Sequence, residues 1–182
     1  MATITKTIGT SSRDYSTIGA WASDLDDASI YSDDDDAVGS CYNDSSFGIS
    51  NVIGDSSYNN LGSILLTVAE GERHDGTAGT GAVIEQNGAG WALDLKAQTT
   101  TANWLIAEWF EIDALDGGNS YNSIGISSSI TDGVPCIRNM VVHNNDRPHI
   151  EDGNKDCRIQ NCFFYAGGNL TWTTTGCVGV AC

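Results

Sequence analysis

The carboxylates Glu108, Glu111, Asp113 and Asp116 are the densest local set of groups in this chain that could carry acid–base chemistry. Glycan hydrolysis would need two of them roughly 5 to 9 Å apart on one solvent-facing side, one held protonated. Along a single strand, side chains alternate between faces, which parts Glu108 from Glu111 unless the chain turns a corner between them. His74 and Asp75 offer a second acid–base pair. They stand in a glycine-rich run, residues 71–81, where a His-Asp pair serves to fix a turn. Ser, His and Asp all occur, but no nucleophile-elbow motif joins them into a triad. No catalytic residue is assigned.

Metal chemistry is the next question. The run Asp33, Asp34, Asp35 and Asp36, with Asp24, Asp26 and Asp27 nearby, supplies hard oxygen ligands of the kind Ca2+ takes. It lacks the alternating spacing and later glutamate of a calcium loop, so it reads as a solvated acidic turn. Six cysteines, at 41, 136, 157, 162, 177 and 182, could hold zinc or form disulfides. Structural zinc sites use close pairs such as C-x2-C, whereas Cys157/Cys162 and Cys177/Cys182 are each separated by four residues. The opening residues show no basic segment leading into an apolar one, and no run approaches the ~18 apolar residues of a membrane span. The expectation is synthesis in a reducing cytoplasm with free, buried thiols. No metal and no cofactor is assigned.

Trp91, Trp104, Trp109 and Trp172 could stack on sugars, although core or subunit contacts account for them more simply. Charge excludes one class of partner. With 24 Asp and Glu against 8 Lys and Arg the formal net charge is −16, so nucleic acid would meet a repelling field.

The elements that must position these groups are short. Ser16 or Thr17 can cap a helix in which Ile18, Trp21, Ala22 and Leu25 recur at helical spacing, giving one apolar face able to close the end of a stack of strands. Runs 37–42, 64–68, 82–85, 91–95 and 104–112 read as strands. Their separators are too rich in glycine for crossover helices. In the last third a weak repeat emerges: Ile137-Arg138-Asn139-Met140-Val141-Val142 matches Ile159-Gln160-Asn161-Cys162-Phe163-Phe164, and Ala107-Glu108-Trp109-Phe110-Glu111-Ile112 fits the same frame. Cys157 and Cys162 recur as Cys177 and Cys182. Shifts on the order of 20 to 30 residues suit one turn of a three-sided β-coil with a variable loop. In such a coil Asn139 and Asn161 would be ladder partners, each bonding its counterpart in the next turn. An antiparallel β-sandwich is the main structural competitor.

Three stretches carry a family resemblance: Asp14-Tyr15-Ser16-Thr17-Ile18-Gly19-Ala20-Trp21, then Gly39-Ser40-Cys41-Tyr42-Asn43-Asp44, then residues 66–82 with the motif Glu70-Gly71-Glu72-Arg73-His74-Asp75-Gly76. The chain resembles the N-terminal region of pectin-lyase-like parallel β-helix proteins of bacteriophage particles. The likeness covers essentially the whole chain and is most specific over residues 66–82. It implies an all-β fold, a right-handed parallel β-helix with a short N-terminal capping helix, in which residues 1–36 form the first strand and cap and residues 37–182 the coils of a single domain. It further implies a virion structural protein, a tailspike-derived capsid decoration or fibre component. Such a protein would be a homotrimer on the virion surface, assembled in the host cytoplasm and contacting other virion proteins such as the major capsid protein. The alternatives are the stem of a tailspike or fibre that binds a host surface glycan, or a truncated polysaccharide-degrading enzyme. Tailspikes and lyases of the family usually run through more coils than this sequence holds, which favours the structural role over the enzyme.

Overall fold

In the computed structural model the described residues are 1–48, 51–53, 61–96, 105–114, 122–126, 135–145, 150–152, 157–165 and 177–181, with backbone alone described for 151–152 and 177–181. The strands are β1 (Thr3–Ile8), β2 (Asp36–Cys41), β3 (Asn51–Ile53), β4 (Ser63–Val68), β5 (Val83–Glu85), β6 (Leu93–Leu95), β7 (Leu105–Glu108) and β8 (Glu111–Asp113). They continue as β9 (Ile124–Ile126), β10 (Cys136–Arg138), β11 (Val141–His143), β12 (Ile150–Asp152), β13 (Cys157–Gln160), β14 (Phe163–Tyr165) and β15 (Cys177–Ala181). Helix α1 covers Ile18–Ser23.

The strands form three sheets. A seven-stranded sheet has the order β1-β2-β4-β7-β10-β13-β15, and two four-stranded sheets have the orders β14-β11-β8-β5 and β12-β9-β6-β3. We call them the long, second and third sheets. From β4 to β14 the chain visits long, second and third sheet in turn, and then repeats the circuit. Phe47, bridged in parallel to Ile84, occupies the second sheet's place between β2 and β3. Every strand pair among the described residues runs parallel, so the antiparallel sandwich is ruled out there.

Successive circuits superpose like residues. Gly39, Leu66, Ala107, Ile137 and Ile159 stand in one row of the long sheet, and Ile84, Ile112, Val142 and Phe164 in one row of the second. All are buried except Phe164, which is half-buried. The repeat read from sequence is this register: Ala107 pairs with Ile137, Ile137 with Ile159, and Cys157 with Cys177. Alternation inside such short strands gives one or two inward apolar side chains per pass, and only stacking makes them a continuous core.

Thr17 is the cap of α1, its hydroxyl accepting from the Ala20 N–H at 3.1 Å. The helix stops at Ser23, short of Leu25, but Ile18, Trp21, Ala22 and Leu25 are all buried as the helical spacing predicts. α1 rests on β1, β2 and β3, the first strands of the stack. Gly39 makes that approach feasible: a Cβ there would lie 2.9 Å from the Trp21 ring.

The run 104–112 is not one strand. It breaks into β7 and β8 at Trp109, whose φ of 69° is left-handed. Asn139 and Asn161, one and two circuits later, have φ of 53° and 50° at the same corner. Asn tolerates this region better than other non-glycine residues, which explains its recurrence where the chain leaves the long sheet. The predicted ladder is present, the Asn161 amide donating to Asn139 Oδ1 at 2.7 Å. Asn139→Ala should lower stability by about 1–2 kcal/mol and Asn139→Gly by less, because glycine restores the φ but not the ladder. Urea denaturation of the two variants separates the terms, and equal losses would place the whole effect in the side-chain bond.

Candidate functional site

On the second sheet, the outward positions flanking the inward row of Ile84, Ile112 and Val142 form two rows. One holds Val83, Glu111, Val141 and Phe163, and the other Glu85, Asp113, His143 and Tyr165. This is where the chain concentrates groups with chemistry. Glu111 and His143 are buried, their side chains 4% and 6% exposed, while that of Asp113 is 23% exposed. His143 Nε2 lies 2.8 Å from Glu111 Oε1, and its Nδ1 lies 3.6 Å from Asp113 Oδ1. The imidazole therefore has a carboxylate at each nitrogen.

Each member is held from behind. The Gly79 N–H donates to Glu111 Oε2 at 2.5 Å, and the Asn144 amide donates to Asp113 Oδ1 at 3.0 Å. The Tyr165 ring stacks on His143 with centroids 5.1 Å apart and planes 14° from parallel. Partial burial, with the Glu111 and Asp113 charges, raises the Tyr165 phenol above its ordinary pKa, so it is a neutral hydroxyl over the physiological range. Glu111, Asp113 and His143 each offer a ligand atom within 4.8 Å of the others.

The corner at Trp109 decides the fate of the carboxylate pair suggested by sequence. It sends Glu108 and Glu111 to different sheets with separate partners. Glu108 accepts from Thr67 Oγ1 at 3.0 Å and from Arg138 Nε at 2.5 Å, both its neighbours in the adjoining circuits. Glu108 is thus a brace between three strands of the long sheet. Asp116 lies outside the described residues.

His74 and Asp75 build a turn, as expected. The His74 Nε2–H donates to the Asn139 carbonyl at 2.8 Å, which leaves Nδ1 to accept the Gly76 N–H at 3.2 Å. Asp75 accepts from the Thr77 N–H and the Thr80 hydroxyl. Two members of the acidic run are likewise bonded. Asp35 accepts from the Ala2 and Ser32 N–H groups, and Asp36 from the Ser63 hydroxyl.

Of the tryptophans, Trp104 and Trp172 lie outside the described residues. Trp91 stands over Gly125, its ring 3.1 Å from where a Cβ would be. Trp109 is flanked by His74, 5.7 Å between ring centroids, and by the Arg73 guanidinium at 4.9 Å. Among the described residues the exposed aromatics are Phe163 and Tyr165, at 68% and 41%. Phe163 borders a groove of about 320 Å³ shared with His74, Asp75, Trp109, Asn139 and Asn161. Cys41, Cys136, Cys157 and Cys162 are buried thiols in no disulfide, the Cys177 side chain and Cys182 lie outside the described residues, and burial pushes the Cys41 thiol well up, leaving it unreactive.

Several carboxylates have lowered pKa values for the same local reason. Backbone donation from Thr7 holds Asp14 down, donation from Ser32 and Ala2 holds Asp35 down, and donation from Thr77 holds Asp75 down. At Asp44 desolvation pushes upward, but the Thr10 and Ser11 N–H groups and Arg13 outweigh it. A carboxyl whose folded pKa is lowered stabilises above its unfolded value, and that contribution is lost as pH falls through the folded value. Stability should hold from neutrality to about pH 4 and then drop. Asp44→Asn should lower Tm at pH 7 and flatten the acid limb, which thermal melts across pH would show.

His143 is the member of this cluster that the sequence reading did not single out. The signal existed: extending the repeat frame one residue beyond Ile112 and Val142 places Asp113 opposite His143. No family model, curated protein or solved structure matches the chain.

Proposed function

We propose that the three sheets are the faces of one right-handed parallel β-helix of pectin-lyase-like type. We propose further that the protein is a structural component of a bacteriophage particle, a homotrimeric decoration or fibre element at the virion surface. The cyclic order of the sheets and the in-register rows support the helix. The observation that carries the structural role is the use made of the acids. Glu108, Asp14, Asp35, Asp44 and Asp75 are each bonded to neighbouring strands or turns, so these acids serve the scaffold. Net charge of −16 adds solubility and repels nucleic acid. Such a protein works by burying contact area against other virion chains, multiplied by copy number.

The test is the mass of the purified chain by sedimentation or light scattering, followed by its location in particles by electron microscopy. A trimer found on particles supports the reading; a monomer at every concentration that also fails to bind particles overturns it. A second reading, a stem that binds a host surface glycan, is favoured by the exposed Phe163 at the groove and the exposed Tyr165 on the same strand, since flat aromatic faces stack on sugar rings. It demands glycan binding that is lost in Phe163→Ala and Tyr165→Ala.

A further inference from the structure

We propose that Glu111, Asp113 and His143 bind one divalent transition-metal ion, with Zn2+ the probe of choice. The three come from two adjacent strands in register, Asp113 opposite His143 and Glu111 two residues before Asp113. Their ligand atoms lie within 4.8 Å of one another. His143 Nε2 and Glu111 Oε1 are 2.8 Å apart, and opening that contact to roughly 3.4 Å would seat a tetrahedral ion between them with bonds of ~2.0–2.2 Å. Asp113 Oδ1 faces the other ring nitrogen at 3.6 Å, so its carboxylate must turn toward Nε2 to complete three protein ligands, and its partial exposure marks the side from which an ion and a water would enter.

The donor set argues for the metal class. Imidazole suits Zn, Cu, Fe and Ni, while Ca2+ and Mg2+ prefer oxygen alone. Carboxylate ligands are best when their second oxygen is fixed, and Gly79 does this for Glu111. Asn144 anchors Asp113, and Tyr165 stacked on the imidazole fixes its plane. The supporting contacts thus come from the 71–81 loop, from the residue after β11 and from β14. The cluster is not an incidental patch of surface acid, because two of its three members are buried.

Calorimetric titration of the reduced full-length chain should show one Zn2+ per chain. Asp113→Asn and His143→Gln should each weaken it by about tenfold or more at unchanged far-UV circular dichroism, while Glu108→Gln leaves it intact. Co2+ substitution should give d–d bands without the intense thiolate band that cysteine ligation would produce. Should either variant misfold, Mn2+ added to the wild type should broaden the amide signals of Gly79 and Tyr165 first. Absence of Zn2+ binding up to about 1 mM, equal affinity for Ca2+, a thiolate band, or broadening centred elsewhere would each overturn the assignment.

Discussion

Trp21→Ala is expected to lower the unfolding free energy by about 3–5 kcal/mol, the range for emptying a buried aromatic site. Trp21 is fully buried, its indole N–H donates to the Tyr31 hydroxyl at 3.0 Å, and its ring fills the space that Gly39 leaves open. The loss comes from a cavity at the first strands of the stack and from a buried Tyr31 hydroxyl left without its donor. Tyr31→Phe should cost less, about 1–3 kcal/mol, since the ring stays and the acceptor of the Trp21 N–H is removed. Gly39→Ala attacks the same contact from the other side. Its Cβ would lie 2.9 Å from three atoms of a rigid ring, so α1 must shift. In the double variant Trp21→Ala/Gly39→Ala the alanine methyl has room, and the combined loss should fall short of the sum. Urea unfolding followed by circular dichroism measures all four, and strict additivity would mean that the helix does not close the stack through this contact.

Much of this was legible in the sequence because stacking repeats its demands. The frame shared by residues 107–112, 137–142 and 159–164 is legible since each circuit must return an apolar residue to the same row, as Ala107, Ile137 and Ile159 do. Asn139 and Asn161 were legible as ladder partners because a left-handed corner selects asparagine. Trp109 broke that rule, and the corner it makes was read as the middle of one long strand. Hence the separation of Glu108 from Glu111 could be posed as a question but not answered. The third sheet was largely invisible. Its strands Ile124–Ile126 and Ile150–Asp152 are three residues long, too short for a period of two to register, and glycine at 125 removes half the pattern. His143 carried no local signal, since a lone histidine after two valines reads as a strand end. Its chemistry comes from Glu111 and Asp113, some 30 residues earlier, which only the register brings alongside.

That register makes Glu111 the most consequential single carboxylate. Glu111→Ala is expected to cost about 3–5 kcal/mol, because it strips a buried imidazole of its acceptor and leaves the Gly79 N–H unsatisfied. Glu111→Gln retains one carbonyl oxygen and should cost roughly half as much. The decisive variant replaces both partners: Glu111→Leu/His143→Leu puts apolar volume where a polar pair had to be desolvated. Exchanges of this kind are often neutral or stabilising by about 1–4 kcal/mol, so the double variant should recover most of what Glu111→Ala loses. Recovery would show that the fold does not need Glu111 and His143 for its own stability, and that a polar trio persists on the second sheet for something it binds. Failure to recover, with a loss equal to that of Glu111→Ala, would make the pair a structural brace like Glu108 and Arg138. The metal site would then have to stand on Zn2+ titration alone.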